Sequence, residues 1–302
     1  IQDYKEAAQW YRKAADQGHA RAQYNLGMIY DRGIGVTQDY EESAKWYRKA
    51  GDQGDVSSQY LLGVKYDGGI GVAQDYEESA KWYRKAGDQG DVRAQYLLGA
   101  KYDDGIGVLQ DHEESAKWYR MAGDQGDARA QYNLGLMYKD NQGLSQDFKE
   151  SVKWFRLAAE QGDAGSQFNL GLMYDNGQGV VQDNKESAKW YRMAGDQGHA
   201  RAQYNLGLMY KNGEGVIQDH KEAVNLYRLA AEQGHAKAQS NLGFMYAIGQ
   251  GVTQDYVCAH MWCDLAASNG HKIAGENLDK IAKGMTPAQI DEAQDMARDC
   301  KK

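Results

Sequence analysis

Between residues 39 and 54 the apolar positions fall at Ala44, Trp46, Tyr47, Ala50 and Gly51, with Glu, Lys and Arg between them. Spacing of three and four is the mark of a helix with one buried stripe. Asp39 followed by Glu42 predicts its start as a capping box, the Asp accepting from the third amide while the Glu reaches back. Gly54 predicts its end as a left-handed cap. A second helix is expected from Asp55 or Val56, through Gln59, Leu62, Gly63 and Tyr66, to the glycine-rich stretch 68–71. Gly63 has no side chain and is placed to let two helices approach closely. The local unit is a pair of antiparallel helices joined by short glycine turns.

This pair is repeated. Copies opening Gln-Asp begin at Gln2, Gln38, Gln74, Gln110, Gln146, Gln182 and Gln218, each 36 residues after the last. Seven copies are expected over 1–253, with a degenerate eighth copy and a C-terminal capping helix over 254–302. The cap pair recurs as Asp3/Glu6, Asp75/Glu78, Asp111/Glu114, Asp147/Glu150, Asp183/Glu186 and Asp219/Glu222. Asn141 stands at a turn position that is glycine in other copies, and asparagine is the next most tolerant residue of positive φ. In the eighth copy Asp279 takes the close-packing glycine position, so no further repeat is expected to stack there in the same way. Thr286 and Pro287 predict the N-cap and first residue of a last helix. A fixed period of this length indicates a solenoid, whose units bury their apolar faces only by stacking on one another. The expected fold is all-α. Ile1 is in phase with the later Val216-Ile217-Gln218 junction, so the chain is expected to be cut from something longer.

Charge narrows the partner. With 35 Lys and Arg against 43 Asp and Glu, the formal net charge is −8, which argues against a nucleic-acid groove or binding to an anionic membrane. Mean hydropathy is −0.80, and no window approaches the roughly 18 apolar residues of a membrane span. Cys258, Cys263 and Cys300 form an odd, clustered set. Buried thiols are expected rather than a disulfide framework, with one pairing of Cys300 left open.

Candidate chemistry is sparse. His19, His199, His235 and His271 share one repeat position with Asp55, Asp91, Asp127 and Asp163, which reads as a helix cap. His112 and His220 begin the other helix type, where Tyr40 and Tyr76 stand elsewhere. No His-x-x-x-His or Cys-x-x-Cys pair occurs, so no metal is expected. The carboxylates are mostly copied caps, whereas a catalytic acid needs an environment unlike its neighbours. Loops such as 33–36 follow helices and lack the Lys-Ser/Thr ending of a phosphate cradle. No cofactor is expected.

The succession Ala-x-x-x-Leu-Gly-x-x-Tyr, a Gly-x-Gly-Val loop, then Asp-x-x-Glu-Ala/Ser-x-x-Trp-Tyr-x-x-Ala resembles the Sel-one-like repeat (SLR) family, relatives of tetratricopeptide repeats. The resemblance runs unbroken over 2–253. The tail, with His260-Met261-Trp262 and then 285–290, is similar to the C-terminal segment of bacterial members. The resemblance implies an α-solenoid with a right-handed superhelix, and a non-enzymatic scaffold or adaptor that binds a protein or peptide. It also favours a bacterial envelope or secreted location over the cytoplasm, without membrane insertion. Oligomeric state is open, with a monomer expected. The alternative it carries is a cell-envelope enzyme or β-lactam-binding protein, although no Ser-x-x-Lys nucleophile is present.

By resemblance to tetratricopeptide units, the helix of residues 20–32 and its equivalents line the concave face. The candidate contacts are Arg21, Tyr24, Met28, Tyr60, Arg93, Tyr96, Arg129, Tyr132, Leu136, Phe168, Leu172, Arg201, Tyr204, Leu208 and Lys211. A row of tyrosines beside apolar residues offers large contact area at low entropic cost. The same rings could instead pack between repeats. An edge row reading Asp31, Asp67, Asp103, Lys139, Asp175, Lys211, Ala247 predicts an acidic and a mixed half.

Overall fold

The computed structural model describes residues 2–300, and these form helices and turns with no strand. The chain divides into two compact units, Ile1–Asp147 and Phe148–Lys302. The first contains α1 (Gln2–Asp16), α2 (Ala20–Arg32), α3 (Tyr40–Asp52), α4 (Val56–Gly68), α5 (Tyr76–Asp88), α6 (Val92–Asp104), α7 (His112–Asp124) and α8 (Ala128–Asp140). The second contains α9 (Phe148–Glu160), α10 (Ala164–Asn176), α11 (Asn184–Asp196), α12 (Ala200–Asn212), α13 (His220–Glu232), α14 (Ala236–Ile248), α15 (Tyr256–Ser268), α16 (Lys272–Ala282) and α17 (Pro287–Asp299). Within each unit consecutive helices pack as neighbours, giving an α-solenoid of helix pairs. Ile1, the residue behind the expectation of a longer parent chain, lies outside the described residues.

The caps explain the boundaries. Asp39, Asp75, Asp111, Asp183, Asp219 and Asp255 each accept a bond from the third backbone amide of the helix that follows. The reciprocal half of the expected capping box is not what the glutamates do. Glu78 and Glu114 turn the other way and accept from Trp82 Nε1 at 3.0 Å and Trp118 Nε1 at 3.1 Å. A buried indole N–H gains from an acceptor, and at Trp82 and Trp118 the carboxylate four residues earlier supplies it. Asp3 departs from its equivalents by lying inside the first turn of α1. The box expected at α17 is complete, with Thr286 and Gln289 bonding reciprocally and Pro287 following.

Two glycine positions govern how closely the helices pack. A Cβ on Gly63 would lie 2.4 Å from the Tyr83 ring, and one on Gly27 2.6 Å from the Tyr47 ring. At Gly71, with φ +71°, a Cβ would meet the Tyr40 carbonyl oxygen at 2.1 Å, so this loop lies directly on the backbone at the start of α3. Asn141 takes the left-handed conformation, φ 59°, as its place in the repeat predicts.

Polar side chains tie each copy to the next. Gln59 donates to Gly51 O at 2.9 Å and accepts from Gln89 Nε2 at 2.7 Å. Gln203 repeats this in the second unit, donating to Gly195 O and accepting from Gln233. Arg48 and Arg84 donate to the hydroxyls of Tyr66 and Tyr102. The interiors hold Leu62, Leu98, Leu206 and Leu242, all essentially inaccessible. Truncating any one to alanine costs about 2–5 kcal/mol.

The last helix closes the second unit. Ala293 and Ala297 of α17 pack on Met261 and Leu265 of α15. All three cysteines are free, but only Cys263 is buried; Cys258 is half-buried and Cys300 exposed. The expectation of three buried thiols therefore holds only at Cys263; Cys258 is half-covered in the first turn of α15, and Cys300 sits at the C-cap of α17.

Candidate interaction surface

In the first unit the tyrosine row has two packed sides. Tyr24, Tyr60 and Tyr96 are half-buried, their centroids 6.0, 6.1 and 5.8 Å from Tyr47, Tyr83 and Tyr119 of the following helix. Burial raises the pKa of those three partner tyrosines. Two rows that the sequence treats separately meet on the other side. The Arg93 guanidinium lies 3.9 Å from the Tyr60 centroid and that of Arg129 lies 4.0 Å from Tyr96, while Arg21 lies 5.1 Å from Tyr24. Contacts of this kind contribute about 0.5–1 kcal/mol at exposed sites.

Two of these arginines, Arg93 and Arg129, are aimed by a cap. Asp91 accepts from the Ala94 amide and from Arg93 Nη2 at 2.7 Å; Asp127 does the same for Ala130 and Arg129. One carboxylate thus starts the helix and holds the guanidinium over the ring of the preceding copy. Tyr24, Met28, Tyr60 and Arg93 converge on a cavity of about 210 Å³, with Leu61 also in its wall. Tyr132 and Leu136 are half-buried on α8.

Two carboxylates of this unit's acidic edge are paired internally with lysines. Asp31 pairs with Lys65 at 2.6 Å and Asp67 with Lys101, both lysines being almost fully buried. Asp103 lies 2.9 Å from His112 Nδ1.

In the second unit the histidine of the cap position, rather than the basic residue two positions on, lies against the ring. His199 stacks on Phe168 at 4.5 Å between centroids, and His235 lies 4.7 Å from Tyr204. Their Nδ1 atoms accept from the Ala202 and Ala238 amides at 3.2 Å, so both rings are neutral at that nitrogen. Burial is the main cause lowering both histidine pKa values, and Arg201 lowers them further. His19 and His271 occupy the same cap position without a side-chain cap bond. Phe168 is buried, only 9% exposed, so it belongs to the interior rather than to an open row. Tyr204, Leu172 and Leu208 are half-buried and Arg201 is exposed. Lys211 Nζ lies 5.9 Å from the Phe244 ring. Phe244, which continues the row of Met28 along this helix type, is exposed; sequence reasoning missed Ile248 and Tyr256 as surface residues, although Ile248 breaks a column that is charged or polar in most other copies.

Among the described residues no three His, Cys, Asp or Glu side chains converge as a metal set, and no helix is long and apolar enough to cross a membrane.

A regular stack of helix pairs, with aromatic and basic side chains ranked along one helix type, defines a repeat scaffold. The chain belongs to the Sel1 repeat family, whose model matches residues 1–19, 20–55, 56–91, 92–127, 128–163, 164–199, 200–235 and 236–271. It is similar to a Sel1 repeat protein from Oxalobacter formigenes, at 36% identity over 91% of this chain and 80% of that one, with a TM-score of 0.72. A protective antigen of uropathogenic Escherichia coli strains displaying an SLR fold is 32% identical, over 98% of this chain and 79% of that one, with a TM-score of 0.49. No curated protein matches the chain. Sel1 repeats are generally non-catalytic scaffolds, and their fold typically mediates protein–protein interaction.

Proposed function

We propose that this chain is a scaffold that binds a protein or peptide segment along the face formed by α2, α4, α6 and their equivalents, the concave face of the repeat. One observation carries the reading: Tyr24, Met28, Tyr60 and Arg93, from three successive copies, share the wall of one cavity. A cavity of about 210 Å³ is the size of a side-chain subsite rather than of a small-molecule site of ~300–1,000 Å³. The stacked arginines present a planar, already oriented cation beside an aromatic surface, the composition of interface hot spots. Pre-orientation by Asp91 and Asp127 lowers the entropic cost of using them.

Selection of displayed random peptides on the intact chain tests this. Binding of enriched peptides is expected to fall at least about tenfold in Arg93→Glu with Arg129→Glu. It should stay unchanged in Lys81→Glu, which alters the exposed side of α5. Enrichment indifferent to the arginine reversals would remove the proposal. Arginine reversal is the sharper probe because Tyr60 and Tyr96 also pack on Tyr83 and Tyr119.

A further inference from the structure

In α14 two columns of the repeat change character and a third, apolar throughout, gains an aromatic ring. Phe244 follows Leu172 and Leu208; Ala247 follows Asp175 and Lys211; Ile248 follows Asn176 and Asn212. At the last two columns, positions that are polar or charged in the two preceding copies therefore become apolar. Packing against α15 and α16 accounts for Ala247, which meets Cys263 and Ile281. It does not account for the others. Phe244 is 45% exposed, Ile248 48% and Tyr256 39%, and all three line one cavity of about 300 Å³. Its floor is Cys263 and Ile281, and its cationic wall is Lys280. Lys211, over the Phe244 ring, adds a second positive charge, and no carboxylate lines the cavity.

We infer that this cavity is an anchor site for an acidic peptide segment that presents one bulky apolar side chain. The inference rests on the proposed binding along this helix face and specifies its chemistry at the C-terminal end. The apolar walls remove the anchor side chain from water, which explains three large apolar groups left exposed around one hollow. The lysines select carboxylates next to the anchor, and this complementarity excludes basic segments. The site lies wholly within the second unit, and the Tyr60–Arg93 cavity wholly within the first.

The test uses the full chain and a fluorescein-labelled peptide, Ser-Glu-Asp-Leu-Trp-Glu-Asp-Ser, followed by anisotropy. Two control peptides replace Leu-Trp by Ser-Ser, or the four acids by Lys. The parent peptide is expected to bind at least about tenfold tighter than either control. Ile248→Asp and, separately, Lys280→Glu should each weaken it by a similar factor, with binding falling as salt rises. Both residues are exposed, and an unchanged circular dichroism spectrum establishes that the variants fold. No preference for the parent peptide, or indifference to both substitutions, overturns the assignment. Loss with Arg93→Glu and Arg129→Glu but not with Ile248→Asp overturns this site while sparing the broader reading. The opposite pattern supports this site and counts against the first-unit cavity.

Discussion

The two units build the same helix pair around different interiors. In the first, the buried column below the tyrosines runs Ile29, Lys65, Lys101 and Met137, and its two lysines each reach a carboxylate of the preceding copy, Asp31 or Asp67. In the second, the same column is Met173, Met209 and Met245, all buried. Asp175 keeps the carboxylate position without such a lysine, and its pKa is raised by burial first and by Glu214 second. The rows above differ in parallel: an Asp aims an Arg over the ring in one unit, and a neutral His lies on the ring in the other. The interior thus admits a cation only where the preceding copy offers its counter-charge, because a buried charge without one is costly.

The largest effect should come from Met245→Lys, since the position corresponding to Asp31 is there Lys211. A loss of about 3–5 kcal/mol in urea unfolding of the second unit is expected. Met209→Lys, facing Asp175, should cost roughly 2 kcal/mol less. Equal costs would break the comparison. Next in size, Lys65→Met combined with Asp31→Asn should leave the first unit as stable or up to about 4 kcal/mol more stable, by exchanging an ion pair for apolar packing.

A smaller effect concerns pH. His199 and His235 have folded pKa values below the ordinary 6.5, so the unfolded chain binds protons first. Their contribution to stability is whole above about pH 6.5 and is lost as pH falls below it. His199→Asp with His235→Asp should flatten the thermal midpoint of the second unit between about pH 7.5 and 5.5 relative to the parent. An unaltered slope would show that other groups, such as His260, whose pKa burial also lowers, carry the dependence. Smallest of all, Asn141→Gly should shift stability by no more than about 0.5 kcal/mol, since both residues accept the left-handed cap.

Much of this was readable from repetition. Asp39, Gly63 and Asn141 each have a local reason to be what they are, and the structure places them as caps, a close contact and a left-handed turn. Glu78 was misread because its backward reach to the helix start and its forward reach to Trp82 Nε1 are equally available locally. The indole's need for an acceptor arises only once the core forms. The acidic edge was misread for a related reason: Lys65 lies 34 residues from Asp31, and nothing local announces that it turns inward.

The sequence alone determined helix boundaries, the repeat and the class of fold, because caps and turns depend on neighbours a few residues away and recur every 36 residues. Tertiary structure decided which repeated residues share a surface. It set Arg93 on Tyr60 and buried Phe168, and it left Phe244 and Ile248 open beside Lys280. Those outcomes depend on distances between copies, where a one-residue change in a column alters charge and burial without disturbing the local pattern.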